Sequence, residues 1–177
     1  MSSGQPHWCN RAVFANRDDW KMIESHLSTI KTNSVAFNRL QSLARSIAVK
    51  IESLDCVLEQ LCRQSCRHCI DVCCLRATIW YDFRDLLFYR LHTGGLPQQK
   101  IVKDDAGACI HLSTEGCRLP RCQRPFVCTW YICPAQKEAM RCLPDKCAGP
   151  NLVAVIRQIQ DERKMLGECY MSTDPVP

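Results

Sequence analysis

The stretch FNRLQSLARSIAVKIESLDCVLEQL, residues 37–61, decides the fold class. Its apolar residues recur at alternating steps of three and four, the spacing of one apolar stripe along an α-helix. The stripe consists of Phe37, Leu40, Ala44, Ile47, Ile51, Leu54, Leu58 and Leu61. We therefore predict a helix from about residue 33 to 61. Its stripe must pack against the preceding helix, the C-terminal helix or a second copy of the chain.

Weaker apolar periodicity predicts three further helices, at about residues 18–30, 75–91 and 151–166. The second should stop at Gly94 and the third at Gly167, because glycine is the usual residue just past a helix C-terminus. The residues around 101–112 predict one short hairpin. The predicted fold is therefore mostly α. A helical hairpin or coiled arm at the N-terminus packs on a small cysteine-rich module with little β structure.

Cysteine is the outstanding component of the chain, at 15 of 177 residues. Such density indicates either a disulfide framework or metal ligation. The polar first residues show neither the basic nor the apolar region of a secretory signal, and the odd number of cysteines argues against complete pairing. We therefore expect a cytoplasmic protein whose reduced thiols bind metal.

The charge and hydropathy patterns argue against two kinds of partner. The net charge of +5 comes from scattered basic residues without a Lys/Arg block, so a nucleic-acid partner is not expected. No run of about 18 apolar residues occurs, so no membrane span is expected. The partner that we expect is another protein, or a second copy of the chain bound through the heptad helix.

The first cysteine cluster combines a C-x2-C turn with two adjacent cysteines. Cys66 and Cys69 form the turn, which brings two thiolates into one small volume and is common to zinc and iron–sulfur sites. Cys73 and Cys74 add two thiols a few residues later. Because adjacent side chains point apart, we expect both to serve one polynuclear centre, or one to ligate while the other packs.

The second cluster spreads five cysteines over a loop-like, proline-rich stretch, namely Cys109, Cys117, Cys122, Cys128 and Cys133. Within it Pro125 restrains Arg124 to an extended backbone, which sets the approach of the chain to Cys128. Arg124 is our candidate cofactor-binding residue, since its guanidinium could hydrogen-bond cluster sulfurs or anchor a carboxylate. A surface salt bridge is the alternative.

The two clusters together resemble the YkgJ-like cysteine-cluster family, a zinc- or iron-chelating domain. That family carries a C-x2-C turn, a cysteine pair, two spaced cysteines, Arg-Pro-x-x-Cys, an aromatic residue and a final cysteine. The matching positions are Cys66, Cys69, Cys73, Cys74, Cys109, Cys117, Arg124, Pro125, Cys128, Tyr131 and Cys133. The resemblance covers residues 62–135 and implies ligation by the eight matched cysteines. The chain departs from the pattern in the three residues between Cys69 and the pair, and at Thr129 and Ile132.

The spacing favours an iron–sulfur cluster over zinc. A zinc site commonly uses two C-x2-C knuckles, and the matched cysteines contain one. Cys133-Pro134 is similar to the Cys-Pro that closes many ferredoxin motifs. We therefore predict an iron–sulfur cluster of the [4Fe-4S] type, with zinc as the alternative. Eight thiols suffice for one or two four-ligand centres.

These patterns predict a metal module over residues 62–149, between a helical arm at 1–61 and a C-terminal helix and tail at 150–177. We expect a binding protein in preference to an enzyme, acting in electron transfer or cluster handling with a partner protein. The alternatives are a structural-zinc interaction module and, from a similarity to flagellin lysine methylases, a cluster-dependent methyl-transfer enzyme. Four cysteines keep open roles: Cys62, which we interpret as an ordinary helix residue, Cys122, Cys142 and Cys147.

Overall fold

The protein is mostly α-helical, as predicted. The computed structural model describes residues 17–30, 34–66, 69, 72–76, 79–98, 107–114, 116–142 and 151–173. The helices in this part are α1 (Arg17–Ser28), α2 (Val35–Ser53), α3 (Asp55–Ser65), α4 (Cys73–Arg76), α5 (Phe83–Thr93), α6 (Val127–Trp130), α7 (Pro134–Ala139) and α8 (Leu152–Thr173). The strands are β1 (Leu112–Ser113) and β2 (Gly116–Cys117), and short 3-10 turns lie at Arg121–Gln123 and Met140–Cys142.

The apolar stripe of residues 37–61 lies along α2 and α3 and is covered inside the chain. Every stripe residue from Leu40 onward is buried, and Phe37 is half-buried. Helix α8 lies along α2, and α5 packs against both of them. Of the partners considered for the stripe, the C-terminal helix makes the most extensive contact, and the stripe is buried within the chain.

The helix predicted over residues 33–61 consists of two helices that meet at Leu54. The Leu54 N–H donates to the Ile51 carbonyl oxygen at 3.1 Å, and the Leu54 carbonyl accepts from the Leu58 N–H at 3.0 Å. The Leu54 backbone keeps helical dihedral angles, so the stripe stays buried on both sides of the junction. At the start of α2, the Ser34 Oγ accepts from the Phe37 N–H at 3.1 Å and caps the helix.

Helix α1 is separate from α2, as predicted. Ser28 and Thr29 end α1 by donating hydroxyl hydrogen bonds to carbonyl oxygens three residues back. Trp20, Ile23 and Leu27 bury its apolar side. Helix α1 contacts α5 more extensively than α2, because α8 and α5 already cover the α2 stripe. The N-terminal arm is thereby built into the same core as the C-terminal helix.

The helix predicted over residues 75–91 begins later than expected. Asp82 caps α5 through a capping box with Asp85, in which each side chain accepts from the other residue's N–H. The start of the predicted helix instead lies in the short α4 (Cys73–Arg76), where Leu75 is 46% exposed. The predicted stop is confirmed, since Gly94 follows α5 with φ of 78°, a conformation that favours glycine.

The hairpin also lies further along the chain than predicted. Strands β1 and β2 pair antiparallel, with Leu112 opposite Cys117 and Ser113 opposite Gly116. The Ser113 Oγ donates to the Gly116 carbonyl oxygen at 2.8 Å and braces the turn. Residues 101–106 of the predicted hairpin lie outside the described residues.

The last helix continues past its predicted end at Gly167. Helix α8 runs to Thr173 because Leu166, Cys169 and Tyr170 are all buried, and this packing outweighs the low helix propensity of glycine. Gly167 itself lies against the Arg84 side chain. Neither α8 nor any other helix within the described ranges is long and apolar enough to cross a membrane.

Candidate metal centre

The end of α3 brings two cysteine thiols into contact. Cys62 and Cys66 are four residues apart and therefore lie one above the other on the same helix face. The Cys62 and Cys66 side chains are in hydrogen-bond contact, which lowers the pKa of Cys62 to about 7 and raises the pKa of Cys66. The Ser65 Oγ lies 3.8 Å from the Cys66 Sγ. This turn of α3 thus presents a thiol pair to its neighbours.

Helix α7 carries a third thiol to the same place. Cys133 caps α7, and Pro134 follows at the first helical position, where a missing N–H costs nothing. The Gln136 backbone N–H donates to the Cys133 Sγ at 3.4 Å, and its side-chain Nε2 donates to the Cys62 Sγ at 3.5 Å. Because one glutamine contacts both sulfurs, Cys62, Cys66 and Cys133 form what we call the α3–α7 thiol group.

A second set of thiols collects around the β-hairpin. The Cys73 and Cys74 side chains are in hydrogen-bond contact, so this adjacent pair does not point apart as expected. The Cys109 N–H donates to the Cys74 carbonyl oxygen at 2.8 Å, which ties α4 to the segment that enters the hairpin. The side-chain contact with Cys73, burial and the nearby Cys128 and Cys109 sulfurs all raise the pKa of Cys74.

Strand β2 and helix α6 complete this set. Burial raises the pKa of the Cys128 thiol to about 12, and the neighbouring sulfurs of Cys117 and Cys109 act in the same direction. The members interact electrostatically although they come from four separate segments of the chain. We call them the hairpin thiol group: Cys73, Cys74, Cys109, Cys117 and Cys128.

The two thiol groups are neighbours, and Cys69 lies at their edge. Cys73 of the hairpin group raises the pKa of Cys66 in the α3–α7 group. Cys69 follows α3, where its N–H donates to the Cys66 carbonyl oxygen at 3.3 Å. Within the described part of the chain, no sulfur contact joins Cys69 to either group. The Cys142 side chain and Cys147 lie outside the described residues.

Arg124 joins the cysteine-rich turn to α3. Its side chain is only 9% exposed, and its Nη1 lies 2.8 Å from the Glu59 Oε1. Its Nε donates to the Leu119 carbonyl oxygen at 2.8 Å, and its Nη2 to that of Cys117 at 3.5 Å. These hydrogen bonds go to oxygen atoms, so Arg124 anchors a carboxylate. The nearby Cys117 and Cys62 sulfurs help to raise its pKa against the effect of burial.

Arg121 and Cys122 fix the same turn from its other side. The Arg121 Nε lies 2.8 Å from the Asp55 Oδ1, and its Nη2 also pairs with Glu59. The Cys122 thiol donates to the Ala48 carbonyl oxygen at 3.8 Å, and burial raises its pKa to about 11. Cys122 therefore packs against α2 and takes no part in either thiol group.

A buried ion pair positions the segment that carries Cys128. Arg163 of α8 donates from Nη1 to the Asp85 Oδ1 at 2.7 Å and from Nη2 to both Asp82 carboxylate oxygens at 2.9 Å. The same Asp85 Oδ1 accepts from the Phe126 N–H at 3.0 Å, and the guanidinium lies 4.5 Å from the Phe126 ring centroid. The turn before Cys128 is thus held by side chains of α8 and of the N-terminal end of α5.

The donor chemistry of both groups suits a thiophilic metal. Both groups consist of thiols, and such soft ligands select iron–sulfur clusters and zinc. The contacts present are sulfur–sulfur pairs. Within the described ranges, no group of three or more Cys, His, Asp or Glu side chains is arranged to hold a metal ion. The eight predicted ligands and the cofactor role of Arg124 therefore stay predictions.

The sequence did not predict that two residues of this arrangement belong to the site. Cys62 lies in the α3–α7 thiol group although we assigned it to the helix alone, and Gln136 bridges two thiols. The four-residue step from Cys62 to Cys66 at a helix end is the signal that could have found the first. Nothing in the local sequence distinguishes Gln136.

No protein family, curated protein or solved structure gives a significant match. The resemblance to the YkgJ-like family accordingly rests on the cysteine pattern of residues 62–135 alone.

Proposed function

We propose that this protein binds metal through its clustered thiols and carries an iron–sulfur cluster of the YkgJ-like kind in the cytoplasm. The observation that supports the proposal is the convergence of thiols from separate chain segments on two adjacent sites. The eight residues proposed as ligands are Cys66, Cys69, Cys73, Cys74, Cys109, Cys117, Cys128 and Cys133. When bound, the cluster supplies one-electron redox chemistry, which suits electron transfer or cluster handling with a protein partner.

The surroundings of the hairpin thiol group support this assignment. Cys109 is buried and the other four thiols of the group are partly buried, so the site is partly shielded from solvent. Burial favours the neutral thiol over a thiolate, as the raised pKa of Cys128 indicates. Thiolates there need a cation close by, and iron ions of a cluster supply that charge.

Arg124 has a supporting role in this proposal. Its guanidinium hydrogen-bonds two carbonyl oxygens of the hairpin-to-α6 segment and pairs with Glu59 of α3. It thereby connects the segment that carries Cys117 to α3, which carries Cys62 and Cys66. A positive charge beside cluster sulfurs is also one of the factors that set a reduction potential.

The test is anaerobic purification of the full chain, followed by iron, sulfide and zinc analysis and an absorption spectrum of the same sample. Iron and sulfide in equal amounts, with broad visible absorption that bleaches on reduction, is the expected result. Cys128→Ser should lose most of that iron, whereas Cys56→Ser, which changes an exposed cysteine of α3, should retain it.

Two outcomes would contradict the proposal to different extents. Stoichiometric zinc without visible absorption in fresh anaerobic protein would replace the redox cluster with a structural-zinc module. Protein without bound metal, prepared under the same conditions, would overturn metal binding altogether.

A further inference from the structure

We propose that Cys62 is a metal ligand that joins Cys66 and Cys133 when metal binding draws the sulfurs of the α3–α7 thiol group together, since these sulfurs are not already arranged around a metal position in the described structure. This inference rests on the proposed function and extends it. The cysteine pattern that resembles the YkgJ-like family does not include Cys62, and residue spacing alone assigns it to the helix. Its place in the structure gives it a different role.

Helix geometry supports the first part of the inference. Cys62 and Cys66 are separated by about one helical turn, so both side chains leave α3 on the same face. Their sulfurs are in hydrogen-bond contact. A metal that binds Cys66 at the end of α3 therefore meets the Cys62 sulfur with little movement of the backbone.

The contacts of Gln136 support the second part. Its backbone N–H is directed at the Cys133 Sγ and its side-chain amide at the Cys62 Sγ. The side-chain Oε1 accepts from the Cys133 N–H at 3.2 Å, which fixes the orientation of the amide. Hydrogen bonds of this kind orient sulfur ligands from outside the coordination sphere. Gln136 thus contacts two thiols that come from different helices.

The contacts of Gln136 lie within a helix–helix interface. Helix α7 packs against α3, and the Gln136 side chain is buried in their interface. Cys62 itself is partly buried, whereas Cys56 on the same helix is exposed. The two cysteines therefore form a matched pair of test sites, since they share a helix and differ in their surroundings.

Thiol alkylation of the wild-type protein tests the inference without a substitution. The anaerobic protein is treated with iodoacetamide before and after metal removal by a chelator, and modified cysteines are mapped by mass spectrometry. Cys62 should react at least about tenfold more slowly before metal removal, because a metal-bound sulfur is a poor nucleophile. Cys56 should react at the same rate in both samples. Buried Cys122 reports unfolding, since it becomes reactive only if the core opens.

A single substitution gives the second measurement. Cys62→Ser should lose metal at a chelator concentration at which Cys56→Ser stays loaded. If metal removal also makes Cys122 reactive, the comparison of metal retention by the two variants alone tests the inference. Equal Cys62 alkylation in the two samples with Cys122 protected, or equal metal retention by the two variants, would overturn the inference. Wild-type protein that never contains metal would instead defeat the proposed function itself.

Discussion

Replacement of Arg163 by methionine should destabilise the protein by removing the cation from a buried ion network. Arg163 is 4% exposed and Asp85 is 6% exposed, so the carboxylate cannot turn to solvent. Breaking a buried ion pair from one side typically costs about 3–5 kcal/mol. We expect the lower end, about 3 kcal/mol, because Asp85 keeps the N–H donors of Asp82 and Phe126.

Urea unfolding followed by circular dichroism measures this cost. Lys164→Met is the matched control on the next residue of α8, since Lys164 makes only an exposed contact with Glu168 at 3.9 Å. The control should change the free energy of unfolding by less than about 0.5 kcal/mol. Asp85→Asn combined with Arg163→Met should recover about 1–3 kcal/mol relative to the sum of the single changes. A cost for Arg163→Met below about 1 kcal/mol, or additive single changes, would refute the reasoning.

The same variant should show a defined pH dependence. Burial raises the pKa of the Asp85 carboxyl, and the Arg163 guanidinium is the main opposing influence. Without Arg163 the folded-state pKa of Asp85 rises further above its unfolded value. A raised pKa means that the folded protein binds the proton more tightly, so its stability decreases as pH rises through the folded-state pKa. The deficit of Arg163→Met relative to wild type should therefore shrink as the pH is lowered from neutral.

Three further predictions concern the helices and the structural thiol. Ser34→Ala removes the cap of α2 and should cost about 0.5–2 kcal/mol in urea unfolding, so no change would contradict the capping role. Ile47→Ala should cost about 2–5 kcal/mol because Ile47 is fully buried in the stripe, whereas Val49→Ala, at a position 65% exposed, should change stability by under about 0.5 kcal/mol. Equal losses would place the stripe elsewhere. In native protein at mildly alkaline pH, Cys122 should resist alkylation while Cys56 reacts, because burial raises the pKa of Cys122 to about 11; equal rates would contradict its packing.

The mostly α fold was predictable because its main signal is periodic. The stripe from Phe37 to Leu61 repeats over several turns, and burial follows that repeat through the junction at Leu54. The helix ends were less predictable. Gly94 ends α5 as expected. Gly167 does not end α8, because burial of Tyr170 beyond it stabilises a longer helix. Glycine allows the backbone to leave the helical conformation, and tertiary packing determines whether the helix ends there.

The candidate site was predictable in its residue types and less so in its grouping. Cysteine spacing identified Cys74, Cys109 and Cys128, which the structure brings near one another. It could not place Cys62 with Cys133, because the link between them is made by Gln136 across the α3–α7 interface. Spacing describes neighbours along the chain, and this contact depends on how two helices pack.

In the proposed function, a bound metal must balance the negative charge of the thiolates, because the neighbouring ion pairs carry no net positive charge. Arg121 and Arg124 carry two positive charges, and their partners Asp55 and Glu59 carry two negative charges. The four charges cancel overall, so this network adds no net positive charge for the thiolates of the adjacent groups, although the two arginines still lower the pKa of Cys62. Each sulfur that ligates must give up its proton, so metal loading releases protons and weakens as the pH falls. The protein supplies the positions of the sulfurs, and in the proposed function the metal supplies the charge that lets them ionise in a partly buried site.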